Sequence, residues 1–213
     1  DFKPFIFVRD KPEVIAKQWD NPAVLAFSSS MWNHRLNLEL ANRARALFPD
    51  ALIVFGGPHV PTRTEELLEK YPCVDVAVRG EGEVTFAEIL LANLNGRDFS
   101  NVSGIVYRDP ATGACVRTKD REPIDVNSLP SPYLAGLYDE LLDTRGDLEY
   151  QMILETNRGC PFHCTFCYWG NGNTKVKTFD LDRIGKEIEW IAEKKIPYVF
   201  GADANFGMLP RDL

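Results

Sequence analysis

The sequence lacks four things that would each have opened a class of function: an excess of positive charge, a long apolar run, a repeat, and an even set of well-spaced cysteines. Lys and Arg number 24 against 31 Asp and Glu, a net charge of -7, and no local Lys/Arg cluster offsets it. A phosphate backbone needs a basic face, so no nucleic-acid partner is expected. No apolar run approaches the roughly twenty residues that cross a bilayer, and Asp1-Phe2-Lys3-Pro4 does not open a signal peptide. No membrane partner and a cytoplasmic location are therefore expected. The five cysteines are odd in number and three of them fall within Cys160 to Cys167. No sensible disulfide framework uses such spacing, and metal or redox chemistry in a reducing compartment fits better. Both ends read as cut: apolar Phe5-Ile6-Phe7-Val8 follows the start at once, and Met208 to Leu213 closes no element. A piece of a longer protein, without turnover of its own, is expected.

What is present is enough apolar residue, 45%, for one full core and part of a second. From Phe5 to about Asn95 short apolar runs alternate with amphipathic stretches, the pattern of βαβ units on a parallel sheet. Val24 to Phe27 and Ala51 to Phe55 predict strands buried on both faces. Leu36, Leu40, Ala44 and Leu47 predict a helix between them. Thr62 to Glu65 and Thr85 to Glu88 each match a capping box, in which a hydroxyl and a carboxylate satisfy orphan N–H groups, and so predict two helix starts. Val74 to Val78 predicts a further strand. Residues 104–118, with Asp109-Pro110 before Gly113, predict a hairpin that closes a first domain over 1–122. Residues 123–149, rich in Pro, Ser, Asp and Asn at their start, are expected to be a linker. A second domain over 150–213 would begin with a strand at Gln151 to Leu154 and a loop. A helix follows, with Leu181, Ile184, Ile188 and Ile191 on one face behind an Asp180 N-cap, then a strand from Tyr198 to Phe200.

That loop reads NRGCPFHCTFCYWG from Asn157 to Gly170. Thiolates bind zinc or iron–sulfur clusters. Structural zinc wants two separated ligand pairs, whereas Cys160, Cys164 and Cys167 form one C-x3-C-x2-C group with no second pair after it. Three thiolates on a four-iron cluster leave one iron open, and an open position is what a catalytic metal needs. A small molecule is expected there. Gly159 lets the backbone approach, Pro161 stiffens the turn and Arg158 balances charge. Phe162, Phe166, Tyr168 and Trp169 would shield the cluster and offer a face to a planar ring. Two blander assignments stand beside this one: a zinc site that recruits His163, although adjacent residues rarely point at one tetrahedral ion, and three unligated thiols. Cys73 and Cys115 read as packing thiols.

The C-x3-C-x2-C spacing after a strand, with aromatic Phe166 before the third cysteine, resembles the signature of the radical S-adenosylmethionine (SAM) superfamily. The resemblance implies a partial or full (β/α) barrel begun by 150–213, with its chemistry on the C-terminal face. It implies a 4Fe-4S cluster on Cys160, Cys164 and Cys167, and SAM chelated at the open iron and cleaved to a 5′-deoxyadenosyl radical. Phe166 and the backbone at Tyr168 would lie near the adenine. Many members bind the SAM amino group with a Gly-Gly-Glu-type motif at the end of the next strand. Here Gly201-Ala-Asp-Ala-Asn205 stands in that place, so Asp203, with Asn205 beside it, is the expected acceptor, unless Asp203 only caps a turn.

In the first domain Phe27-Ser-Ser-Ser-Met-Trp-Asn33, Phe55-Gly-Gly-Pro-His59 and Arg79-Gly-Glu-Gly-Glu83 follow three successive predicted strands. Small residues at the carboxyl ends of parallel strands form the crevice in which doubly wound sheets bind ligands. A serine-rich turn followed by Gly-Gly looks like the second half of the cobalamin-binding domain that precedes the barrel in one radical SAM class. The resemblance implies an α/β, doubly wound parallel-sheet, flavodoxin-like domain. Cobalamin would be held by Ser28, Ser29, Ser30, Gly56 and Gly57, with Gly80, Glu81 and Gly82 on the same edge. The family's Asp-x-His-x-x-Gly loop, whose His ligates cobalt, is absent: the histidines are His34, His59 and His163. His59 is expected in a turn and His34 at a helix start, neither in catalysis.

The function implied is a cobalamin-dependent radical SAM methyltransferase acting on an unactivated carbon or a phosphinate. Its substrate would be a small molecule or a peptide, and its electron donor a protein such as flavodoxin or ferredoxin. Rivals end in cyclisation, oxidation or rearrangement, keep the first domain only as scaffold, or reduce the chain to a zinc-stabilised binding module. A methylthiolating enzyme acting on transfer RNA is disfavoured by the acidic balance and by the lack of an upstream cysteine cluster.

Overall fold

The computed structural model describes residues 9–144, 148–167 and 175–212, which fall into two compact units, Asp1–Pro123 and Ile124–Leu213. The apolar segment Phe5 to Val8 lies outside the described residues. In the first unit the order is α1 (Pro12–Ala16), β1 (Val24–Ser28), α2 (His34–Leu47), β2 (Leu52–Gly56), α3 (Thr64–Lys70), β3 (Val76–Val78), α4 (Glu83–Leu94), β4 (Ile105–Arg108) and β5 (Cys115–Arg117). The sheet runs β1-β2-β3-β4-β5, with the first three strands parallel and the last two antiparallel.

β2 shows what organises this unit. Its residues alternate between two apolar layers, so every side chain from Leu52 to Phe55 is buried. Ile53 and Phe55 pack on Leu38, Ala41 and Ala44 of α2 and on Leu67 and Leu68 of α3. Leu52 and Val54 face Ile89 of α4 together with Phe99 and Val102. Helices thus cover both faces, the doubly wound α/β arrangement that the alternating pattern predicts. β1, expected to be buried on both faces, is only half-buried because it ends the described sheet. The hairpin forms where expected: Asp109 accepts through its carboxylate from the Ala111 and Thr112 N–H groups, and Gly113 closes the turn at φ +71°. The two capping boxes do not form. The caps are Arg63 and Gly82, neither with a side-chain capping bond. Thr85 sits inside the first turn, where its hydroxyl accepts from Arg121 Nε at 2.6 Å.

The second unit contains α5 (Asp139–Thr144), β6 (Gln151–Leu154), β7 (Asn157–Arg158), β8 (Lys177–Thr178), α6 (Leu181–Glu193) and β9 (Tyr198–Gly201). β6 and β9 pair in parallel, from Gln151 with Tyr198 to Leu154 with Gly201, and α6 is the crossover between them. β7 and β8 pair antiparallel and draw together the two ends of the cysteine loop. Of the stretch 123–149, expected to be a linker, residues 124–144 belong to the second unit and pack into it. Val126, 1% exposed, packs with Phe179 and Ile184. Tyr133 packs with Met152 and Ile191 and stacks on Trp190, ring centroids 5.3 Å apart. Its hydroxyl donates to Ile153 O and accepts from the Ile153 N–H. Scattered apolar residues among prolines carry no period, so their burial shows only in the folded unit. α6 also turns a different face inward: Ile184, Glu187 and Ile191 are buried, while Leu181 and Ile188 are exposed. Glu187 is accommodated by Arg183, whose Nε donates at 3.0 Å. Asp180 takes the N-cap position without a side-chain capping bond. Among the described residues no helix is long and apolar enough to cross a membrane.

Candidate cofactor sites

β1, β2 and β3 run parallel, so the loops that leave them share one edge of the sheet. Ser28 at the end of β1 stands beside Gly56 at the end of β2. The two following turns are bonded to each other: the Ser29 N–H donates to Gly56 O at 2.7 Å, and the His59 N–H to Ser29 O at 3.0 Å. Gly57 has φ +96°, and a Cβ there would lie 2.7 Å from Ser29 O. Only glycine tolerates both the conformation and the contact. Asn33 and Asn37 each donate from Nδ2 to Ser28 O at 2.9 Å, and the Ser30 N–H donates to Asn33 Oδ1 at 2.7 Å. Ser28, Ser29, Ser30, Gly56 and Gly57 therefore come together. They differ in access, because Ser28 is exposed whereas Ser29 is buried with its Oγ 2.8 Å from His34 Nδ1.

Gly80, Glu81 and Gly82 follow β3 on the same edge. Nothing stands within 4 Å of a Cβ built at Gly80 or Gly82, so the surface over this backbone is open to a ligand. Met31 and Trp32 are exposed on the first turn, at 79% and 74%. Two large apolar side chains in a turn are the signal, quoted in the sequence but not used there, that this rim meets something other than water. A cradle with an open glycine backbone and one exposed hydroxyl fits the nucleotide tail of cobalamin.

In the second unit the cysteine loop leaves β7. Cys160 is buried, Cys164 exposed and Cys167 between, all as free thiols. The Cys167 N–H donates to Cys164 O at 3.0 Å. Gly159 has φ +105°, and a Cβ there would lie 2.8 Å from Lys175 O, so the neck of the loop closes only around glycine. Asn205 Nδ2 donates to Cys160 Sγ at 3.0 Å. Asp203 faces the strand-to-loop turn: Oδ1 accepts from the Thr156 N–H at 2.7 Å and the Asn157 N–H at 3.0 Å, and Oδ2 from the Thr156 hydroxyl. Arg158, expected to balance cluster charge, makes a forked pair with Glu155 at 3.1 and 2.8 Å. Phe162 and Phe166 are exposed, Phe166 at 91%, and present bare ring faces rather than a closed shield. Tyr168 and Trp169 lie outside the described residues. Among the described residues no group of three His, Cys, Asp or Glu side chains converges as a metal site. The three thiols share one loop that is tied at its neck, and thiolates are the donors that an iron–sulfur cluster uses. The Asn205–Cys160 bond spans 45 positions of sequence, and the resemblance had directed Asn205 elsewhere.

The sequence profile of the B12 binding domain matches residues 7–90. Over its whole length the chain is 40% identical to 2-(S-pantetheinyl)-carbapenam-3-carboxylate methyltransferase of Streptantibioticus cattleyicolor. It is 39% identical, again throughout, to the cobalamin-dependent radical SAM methyltransferase TokK of Streptomyces tokunonensis. In each case it spans 32% of the relative's length. Its fold is similar to that of TsrM, a radical S-adenosylmethionine methyltransferase of Kitasatospora setae solved with cobalamin and a 4Fe-4S cluster. That likeness has a TM-score of 0.70 at 16% identity, over 95% of this chain and 41% of the other.

Proposed function

We infer that this chain, which belongs to the radical SAM proteins that carry a B12-binding domain, forms the cofactor-holding part of an enzyme that transfers a methyl group to an unactivated carbon. The observation that carries this is one chain that holds both a match to the B12 binding domain and a C-x3-C-x2-C loop inside a parallel strand–helix–strand unit. Cys160, Cys164 and Cys167 would hold a 4Fe-4S cluster that, with cobalamin on the rim, supplies one-electron reduction of SAM and a carrier for the methyl group. The chain's own part is positional. Asp203 gathers Thr156 and Asn157, which fixes the turn from which Cys160 departs, and Asn205 holds the Cys160 sulfur. The bare faces of Phe162 and Phe166 offer stacking surfaces for the SAM adenine. On the rim, Ser28 and the open backbone at Gly80 and Gly82 would contact cobalamin, while Gly57 and Ser29 keep the turns in register.

The test is anaerobic reconstitution of the full-length parent protein with iron, sulfide and hydroxocobalamin, followed by iron, zinc and cobalt analysis and an absorption spectrum. About four irons and one cobalt per chain are expected, and product analysis with a carbapenam-type small molecule then looks for the transferred methyl group. Iron without cobalt would reduce the first unit to a scaffold. Zinc alone would overturn the enzymatic assignment.

A further inference from the structure

Ser29 joins the first two turns of the rim. Its N–H crosses to Gly56 O, its C=O accepts from the His59 N–H, and Gly57 packs directly against that same carbonyl. Both backbone groups are thereby committed between the turns. The hydroxyl, on a residue 1% exposed, is committed to one side chain, His34 Nδ1 at 2.8 Å. That imidazole is in turn clamped, with its centroid 4.5 Å from the His59 ring and 6.2 Å, edge-on, from Tyr71. One ring therefore ties the start of α2 to the turn after β1, the turn after β2 and the end of α3.

We propose that His34 is a positioning residue for cobalamin: its neutral ring, acting through Ser29, locks the two cofactor-facing turns, and taking up a proton loosens them and releases the cofactor. This rests on the assignment of cobalamin to the rim. A neutral imidazole and a serine hydroxyl satisfy each other whichever of them donates. A charged ring meets different company. The groups that face it are the His59 ring, the Lys70 ammonium, which itself sits 5.3 Å over Tyr71, the Tyr71 ring and the Ser29 hydroxyl. Burial first, then His59 and Lys70, hold the His34 pKa below its ordinary value. The unfolded chain therefore binds the proton more readily than the folded one. The lock is complete above about pH 6.5, the ordinary histidine value, and is lost as the pH falls below it.

Equilibrium dialysis of the full chain against methylcobalamin in the dark tests this, because that form carries no cobalt-bound water to titrate. From about pH 8 down to about pH 5.5 the wild-type affinity should hold and then fall, by at most about tenfold per pH unit for one proton. His34→Gln keeps a hydrogen-bonding group that does not titrate, and should flatten the profile while binding more tightly than His34→Ala. Ser29→Ala should be weaker at every pH and equally flat. Thermal melts identify a variant that fails to fold, and if His34→Ala does so, His34→Gln and Ser29→Ala decide between them. A flat wild-type profile, or the same slope in His34→Gln, overturns the proposal. Failure of wild type to bind methylcobalamin at any pH removes the cobalamin assignment itself, and the His34 role with it.

Discussion

The rim of the first unit is walled by backbone, with Ser29 bonded to Gly56 and His59 across two turns and Gly57 packed against it. The cysteine loop of the second unit is walled by side chains, three thiols on a segment tied chiefly at its neck by Gly159 and the β7–β8 pair. The first has its shape before any ligand arrives, which lowers the ordering cost of binding. In the second no three donors converge among the described residues, so a metal would have to gather them, and ligation and ordering would be one event. The lesson is that the two sites should fail to different substitutions, the rim to an added methyl group and the loop to a lost sulfur.

The strongest separation should come from Cys160→Ala, Cys164→Ala and Cys167→Ala combined. Iron after reconstitution should drop to background, while methylcobalamin affinity shifts by no more than about twofold, as for changes that touch no rim residue. Cobalamin lost together with iron would show that the sites are not built independently. Gly57→Ala should do the converse. Forcing a Cβ into that conformation and against Ser29 O costs about 1–3 kcal/mol, so dialysis should find methylcobalamin binding weakened about tenfold or more with iron loading intact. Undiminished affinity would mean that the rim is not preformed.

Asp203→Ala should be milder. It leaves the Thr156 and Asn157 N–H groups without their acceptor, at about 1–3 kcal/mol, seen as a lower melting temperature and reduced iron retention. A melt like that of wild type would deny the carboxylate its place in the turn. The smallest effect belongs to Asn205→Ala, which should retain iron but make the cluster harder to reduce in a redox titration, since hydrogen bonds to sulfur raise such potentials. An unchanged midpoint would assign Asn205 to something other than the Cys160 sulfur.

Where one short stretch carried its own cause, the sequence was legible. The apolar run at β2, the Asp109 turn and the close backbone approach at Gly159 appear as expected, because burial on both faces, an aspartate turn and room for a neighbouring carbonyl are local requirements. Features that depend on distant packing were not. Thr62 and Thr85 have capping-box spacing, yet the caps fall at Arg63 and Gly82, one residue after the first and three before the second, and Arg121 claims the Thr85 hydroxyl across 36 positions. Val126 and Tyr133 look like linker residues until α6 and β6 fold over them. The site residues divide in the same way. The cysteines were read from their spacing and the rim glycines from a resemblance, while the Ser29–His34 bond needed the end of a strand, a turn and a helix start in their actual geometry.

Tyr133 carries a consequence for how the chain behaves in company. Ile153 turns its N–H and C=O to the side of β6 away from β9, and the phenol occupies both. An unsatisfied strand edge of that kind is where a second chain adds a strand of its own and aggregation starts. One hydroxyl here does at Ile153 what a neighbouring strand would do, so Tyr133 shields that position of β6 from strand addition.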